Sequence, residues 1–363
     1  MADVRLGVIG VGGMGRQHAQ RVAAGEVPGL TLAAIADPKP AACAAFAGVR
    51  AFASGEELIS SGACDAVLIA TPHYSHTTLG LAALEAGLHV LVEKPISVHV
   101  ADARRLVAAH RGGAQVFAAM FNQRTDPFFL RIRELVRGGA LGELRRVQWT
   151  ITNWFRPHAY YASGTWRATW AGEGGGVLLN QAPHNLDLFQ WICGQPVRVR
   201  AHCRFGHYHP IEVEDDVTAY VEFANGATGT FITSTGEAPG TNRLELAGEL
   251  GRVVYENDTL TFRRNAVPTG EFSRTTKEAF VAPPCEDVVL ERPADHGPQH
   301  LGIMRNFAEA IRHSAPLIAP AAEGVASLEL ANAMLLSTWL DRTIDLPLDA
   351  DLYARELERR KRA

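Results

Sequence analysis

The segment Gly10-Val11-Gly12-Gly13-Met14-Gly15 follows directly on the apolar run Leu6-Gly7-Val8-Ile9, and it narrows the possible folds more than any other part of the chain. A G-x-G-x-x-G pattern is informative where a strand gives way to a helix, which is its setting here. Gly10 then permits the tight turn, Gly12 lets the main chain approach a pyrophosphate, and Gly15 lets the helix lie close on the sheet. Gly13 and Met14 open that helix, whose free N–H groups and positive dipole end favour phosphate.

The surrounding pattern agrees. Apolar runs at Leu30 to Ala36, Ala66 to Ala70, Val90 to Val92 and Gln115 to Ala119 alternate with helical stretches such as Thr77 to Ala86 and Val100 to His110. Such alternation predicts a doubly wound parallel sheet covered on both faces. After Gly138-Gly139-Ala140-Leu141-Gly142 the character changes. Val147 to Thr152, Val197 to Phe205 and Val217 to Phe223 read as longer alternating strands, and Asn225-Gly226 is a strong hairpin signal. Asn257-Asp258 reads as a second hairpin turn, and helices return at Gln299 to His313 and Glu323 to Thr343. Residues 264–298, with several prolines and little period, read as a long loop.

A length of 363 residues exceeds one ordinary core. The expected class is α/β, with a dinucleotide-binding domain over residues 1–122. An α+β domain with an open, largely antiparallel or mixed sheet follows over 123–363, its final helices able to pack back on the first. Net charge is −4, which gives no electrostatic case for nucleic acid or an anionic membrane. No apolar run approaches the ~18–20 residues that span a bilayer. The N-terminus lacks the layout of a signal peptide, and five cysteines without a CxxC pair suit reduced thiols, so a cytoplasmic location is expected. The basic tail Arg355 to Arg362 reads as a solvated, fraying helix end.

Several residues at strand ends extend the candidate cofactor site. Asp37 closes the second strand about 20 residues past Gly15, where a carboxylate accepts from the ribose hydroxyls and repels a 2′-phosphate. That favours NAD; Lys39 softens the repulsion and leaves NADP possible. Asp-Pro at 37–38 also suits a plain turn. Thr71, Pro72 and His73 lie at another carboxyl end of the sheet, with His76 just beyond. Glu93 and Lys94 end the run His89 to Val92, and Pro95 turns the chain away there. Asn122, past the last strand of the domain, completes the set.

The candidate reacting centre combines Lys94 with Asn180, His184 and Asp187. Asn180 and His184 are four apart and Asp187 follows by three, so a helix beginning near Asn180 would set them on one face, with Pro183 in its first turn. Gly174-Gly175-Gly176 just before would allow close approach by a ligand. Trp154, Arg156, Tyr160, Tyr161, Trp166 and Arg167 would wall a carbohydrate pocket, or else form an aromatic core or subunit contact. The arginines suit a substrate carboxylate or phosphate. His207-Tyr208-His209 is read as a solvated loop and no metal site is expected.

Taken together, Gly10 to Gly15, Ala70-Thr71-Pro72, Glu93-Lys94-Pro95, Gly174 to Gly176 and the helix with His184 and Asp187 resemble the Gfo/Idh/MocA family, named for glucose–fructose oxidoreductase and inositol dehydrogenase. The resemblance covers almost the whole chain. It implies an N-terminal Rossmann domain, a homodimer or homotetramer formed through the second sheet, and pyridine-nucleotide oxidoreduction of a sugar, cyclitol or glycoside. It also implies that Lys94 contacts the reacting oxygen and that His184 acts as acid/base, with Asp187 orienting His184 or the substrate. The family's frequent aspartate four residues before that histidine is Asn180 here. Two other expectations stand beside a dehydrogenase. One is glycoside hydrolysis through transient oxidation with held NAD; the other is a non-catalytic sugar- or nucleotide-sensing protein on the same fold.

Overall fold

A computed structural model, described for residues 2–110 and 113–362, contains two sheets. The first holds β1 (Val4–Ile9), β2 (Leu30–Ala36), β3 (Arg50–Phe52), β4 (Ala66–Ile69), β5 (His89–Val92) and β6 (Phe117–Ala119). Their order is β3-β2-β1-β4-β5-β6, every pair parallel. Chain order reverses between β1 and β4, and the crevice at such a switch point is where ligands of open α/β sheets bind. The middle strands are sealed on both faces: Leu6, Val8, Val67, Leu68, Val90 and Leu91 expose nothing. This is the Rossmann topology.

The second sheet holds β7 (Leu144–Ile151), β8 (Arg198–Phe205), β9 (Glu214–Glu222), β10 (Thr228–Ser234), β11 (Asn242–Gly248), β12 (Gly251–Glu256), β13 (Thr259–Asn265), β14 (Cys285–Val288) and β15 (Ile344–Asp345). Its order is β14-β13-β12-β11-β7-β10-β9-β8-β15, antiparallel except for the parallel pair β7/β10. In β8 the alternation is plain: Val199, Ala201 and Cys203 turn inward while Arg198, His202 and Arg204 face out. Helices Pro183–Cys193 and Gly324–Leu340 cover the inward face, with Phe189 against Phe223 and Phe231. Asn225-Gly226 turns β9 into β10, and Asn257 and Asp258, both with positive φ, turn β12 into β13.

The two halves are bolted together by the C-terminal helices. The Asn332 side chain accepts from Val100 N at 3.0 Å and donates to Val98 O, while Arg104 pairs with Glu329 at 2.7 Å. Helix Ala350–Lys361 corrects the expectation of a fraying tail. Tyr353 and Leu357, four apart, form its buried stripe; Arg360 lies 3.9 Å over the Trp339 ring and Lys361 4.8 Å from that of Tyr74. The long loop expected over 264–298 also carries structure, namely helix Thr269–Thr275 and the edge strand β14. That helix has no buried residue and β14 is exposed almost throughout, so neither needed the apolar period by which elements are recognised.

Candidate active site

The glycine loop is shaped by its own neighbours. Gly10 has φ +85°, and a Cβ on it would lie 2.8 Å from Ala70 O; a Cβ on Gly15 would lie 1.8 Å from Gly10 O. Side chains at either position would push the loop off β4. At Gly12 and Gly13 an added Cβ would meet nothing within 4 Å, so this side of the loop is open. Asp37 Oδ2 accepts from Val11 N at 3.0 Å and Oδ1 from Lys39 N at 2.9 Å. The carboxylate is therefore both a turn former and a fixture beside the glycine loop. Thr71 Oγ1 and Asn122 Oδ1 are buried without a partner among the described residues. Thr71 lies against Gly10, and an unpaired buried hydroxyl beside an open helix N-terminus fits a dinucleotide, whose phosphates can accept from it.

Helix His73–Glu85 starts earlier than its apolar pattern suggested, with Pro72 as its N-cap, so His73 and His76 lie in its first turn. The ring nitrogens of His76 face Pro95 O at 2.7 Å and Thr71 O at 2.8 Å. Burial lowers its pKa against the pull of the two carbonyls. His73 Nδ1 lies 3.1 Å from Glu173 O. Glu93 is buried, accepts from His18 Nε2 at 2.7 Å, and takes Lys94 N on its other oxygen. Burial opposes its charge, but the His18 hydrogen bond and the nearby cations outweigh burial and hold Glu93 at about 2.

Lys94 reaches from the end of β5 to Asn180 O, 2.6 Å away. Burial lowers its pKa, and the charges of Arg167 and Arg156 lower it further against the pull of Glu93 and Glu173. His184 is buried, with Nδ1 unpartnered among the described residues; burial and the Lys94 charge hold its pKa well below the ordinary histidine value. His184 and Lys94 thus share one site, and burial lowers the pKa of both. Helix Pro183–Cys193 begins at the proline, so Asn180 sits in the turn before it and not on one helical face with His184. That turn is seated by the buried Glu214, whose Oε1 accepts from Gly176 N at 2.8 Å and Leu178 N at 3.0 Å.

The glycines before this turn are needed for protein packing, which corrects the expectation of ligand approach. A Cβ on Gly174 would lie 2.2 Å from Val98 Cγ1, and one on Gly176 would lie 2.0 Å from Glu214 O. Asp187, one helical turn beyond His184, has its oxygens taken by Arg124 Nη2 at 2.6 Å and Nε at 2.7 Å in a buried fork.

Most of the aromatic segment packs on the residues flanking Asn180 and on His73. Trp154 Nε1 donates to Asn185 Oδ1, Gln181 Nε2 and Arg167 Nη1 donate to Tyr160 OH, and Trp166 packs 6.0 Å from the His73 ring. Tyr161 turns away, bonding Thr235 Oγ1 at 2.7 Å beside the His209 ring. The His207-Tyr208-His209 stretch is not a freely solvated loop. Asp215 gathers the N–H groups of all three residues, and the buried His209 ring joins Asp215 Oδ2 to Arg156 O at 2.7 Å.

Comparison with known proteins decides the family. A model described as the oxidoreductase family with an NAD-binding Rossmann fold matches residues 4–120, and the GFO/IDH/MocA C-terminal domain matches residues 129–254. The chain belongs to the Gfo/Idh/MocA family. It is 30% identical over 264 residues to inositol 2-dehydrogenase 1 of Saccharopolyspora erythraea, across 69% of this chain and 73% of that one. It is 32% identical over 231 residues to an inositol 2-dehydrogenase of Leifsonia xyli, across 62% and 64%. The WlbA dehydrogenase from Bordetella pertussis, solved with NADH and UDP-GlcNAcA, superposes with a TM-score of 0.81 at 25% identity, covering 96% of this chain and all of that one.

Within this Gfo/Idh/MocA oxidoreductase, one central residue escapes sequence reasoning. Glu173, 2% exposed, accepts from Asn180 Nδ2 and from Ala168 N, the latter at 2.7 Å. Burial raises its pKa, opposed by those hydrogen bonds and by Arg167 and Lys94. A carboxylate only accepts, so it turns the Asn180 amide nitrogen toward itself and leaves Oδ1 facing away. An acidic side chain among Ala171, Gly172 and Gly174 was the available signal, because small neighbours leave it no apolar face to cover.

Proposed function

We propose that this chain is an NAD-dependent dehydrogenase that oxidises a secondary hydroxyl of a sugar, cyclitol or glycoside, and reduces the ketone in reverse. In this reading residues 1–122 hold the cofactor and 123–363 the substrate. The observation that carries it is Lys94 at the carboxyl end of β5, beside the switch point and held to Asn180 O, with buried His184 leaving Nδ1 unpartnered among the described residues. Bound NAD supplies the hydride acceptor. His184 takes the hydroxyl proton, and Lys94 donates a hydrogen bond to the same oxygen as negative charge grows on it. Asn180 O aims the ammonium, while Asn180 Oδ1 is free to accept from a neighbouring hydroxyl. Asp37 and Lys39 flank the adenosine ribose, and Thr71 and Asn122 face the cofactor.

The inositol dehydrogenases among its relatives support a ring polyol as substrate. A homodimer or homotetramer through the outward face of the second sheet fits the same family. Five free cysteines suit the cytoplasm, and no described helix is long and apolar enough to cross a membrane. The test is a screen of cyclitols, aldoses, glycosides and their keto forms with NAD and NADP, following absorbance of the reduced cofactor. NADH formation with a polyol that disappears in His184→Ala is the expected result. Glycoside cleavage without added NAD would point to hydrolysis through transient oxidation, and no turnover across the panel to a sensing role.

A further inference from the structure

The aromatic segment near Lys94 carries charge that a neutral polyol does not need. Arg156 and Arg167 flank one aromatic ring, their guanidinium carbons 5.2 and 4.6 Å from the Tyr160 centroid. Arg156 also lies 5.6 Å from the Trp154 centroid, and Arg167 4.6 Å from that of Trp166. Each is anchored by part of its fork only. Arg156 Nη1 donates to Phe155 O at 2.9 Å and Trp154 O at 3.4 Å; Arg167 donates from Nη1 to Tyr160 OH and from Nε to Ser163 Oγ. No ion pair is made by Arg156, Arg167 or Lys94 among the described residues, and both guanidiniums act on Lys94 as like charges.

Two nearby acids, Glu93 and Glu173, pull on Lys94, and neither forms an ion pair with Arg156 or Arg167 among the described residues. Glu93 is committed to His18 and to Lys94 N, Glu173 to Asn180 and Ala168 N, and Asp187 to Arg124. Three cations therefore stand against two carboxylates near the reacting centre, and Arg156 and Arg167 keep unused N–H donors. Stacking on aromatic faces pre-sets the planar forks, the arrangement that suits bidentate binding of an oxyanion. Arg167 also lines a cleft of about 630 Å³ with His158, Phe205 and His209.

We propose that the ring oxidised here bears an oxyanion, a carboxylate or a phosphate, clasped by Arg156 and Arg167 while Lys94 and His184 act on a hydroxyl of the same ring. The proposal rests on the dehydrogenase reading above and adds the class of substrate to it. A neutral ring leaves the two guanidiniums without an ion-pair partner, whereas an anionic one supplies it.

The test is calorimetric titration of the NADH-loaded enzyme with matched ligands: glucose, glucuronate and glucose 6-phosphate, then myo-inositol and an inositol monophosphate. Binding is read without turnover, so failure of the dehydrogenase reading is visible separately as a uronate that binds yet yields no NADH with NAD. An anionic member is expected to bind ~10-fold or more tightly than its neutral partner, as charge-assisted hydrogen bonds allow. Preference for glucuronate identifies a carboxylate site, and preference for the phosphates a phosphate site. Arg167→Gln and Arg156→Gln should each lower that affinity ~10-fold, a larger loss than the neutral ligand suffers, and Arg167→Lys should recover only part of the loss. Unchanged melting temperature and NADH affinity establish that the variants fold. Equal or tighter binding of the neutral members, no binding of any anionic member, or indifference to both arginine variants overturns the proposal.

Discussion

The cofactor side and the substrate side of this crevice are built by different means. Around Gly10 to Gly15 the site is main chain: an open helix N-terminus, a loop pressed on Ala70, and one carboxylate, Asp37, bonded to Val11 N. Around Lys94 it is side chain, assembled from β5, the Glu173–Asn180 turn, helix Pro183–Cys193 and the aromatic segment. A main-chain site is specified by consecutive residues and survives any change that keeps the turn. A side-chain site depends on tertiary packing, and each member can be removed singly. The two halves should therefore fail in separable ways.

The largest separation is expected from Lys94→Ala. It should lower kcat by ~10²-fold or more with little change in NAD affinity, because the ammonium acts on the reacting oxygen. Rapid-mixing kinetics alongside cofactor titration would read both, and a matching loss of NAD binding would merge the two halves. Gly15→Ala should do the opposite. Its Cβ meets Gly10 O, so NAD affinity should fall ~10-fold or more. The chemical step measured at saturating NAD should stay nearly normal.

Glu173→Gln sharpens the comparison within the substrate side. The new amide no longer forces the orientation of Asn180, so kcat should fall ~10-fold with unchanged NAD affinity, and Glu173→Asp should restore part of it. A residue that only stabilised the fold would lower the melting temperature and leave kcat at saturation alone. Smaller still is Asp37→Ser with Lys39→Arg, which should move the ratio of kcat/KM for NAD over NADP ~10-fold toward NADP. Wild type already preferring NADP would remove Asp37 from the ribose.

That contrast also explains what could be read from the chain in advance. The glycine motif, the Rossmann strands and the Asn225-Gly226 hairpin are local patterns, so they were legible. Strand β14 and helix Thr269–Thr275 were not, because they bury almost nothing and carry no period. Lys94 was legible because it ends an apolar strand and precedes Pro95. Asp187 looked like a partner of His184 from helical spacing, yet Arg124, 63 positions earlier, claims it. Glu173 reads as an ordinary surface acid until the fold sets its carboxylate against Asn180. The amide at position 180 therefore does not leave the site without a carboxylate; the charge stands one residue behind it.

The central claim is that a neutral His184 removes the hydroxyl proton beside a charged Lys94. It is tested most directly by the pH dependence of kcat/KM for oxidation, in wild type and in His184→Ala. The base works deprotonated, and burial with the Lys94 charge lowers its pKa, so activity should be lost only as pH falls below the ordinary histidine value of ~6.5. Lys94 works protonated and its pKa is also lowered by burial, so the alkaline loss should come below the ~10.4 of a free lysine. His184→Ala should abolish the acid limb together with most of the activity. A His184→Ala enzyme that keeps the wild-type rate and the same acid limb would contradict the account.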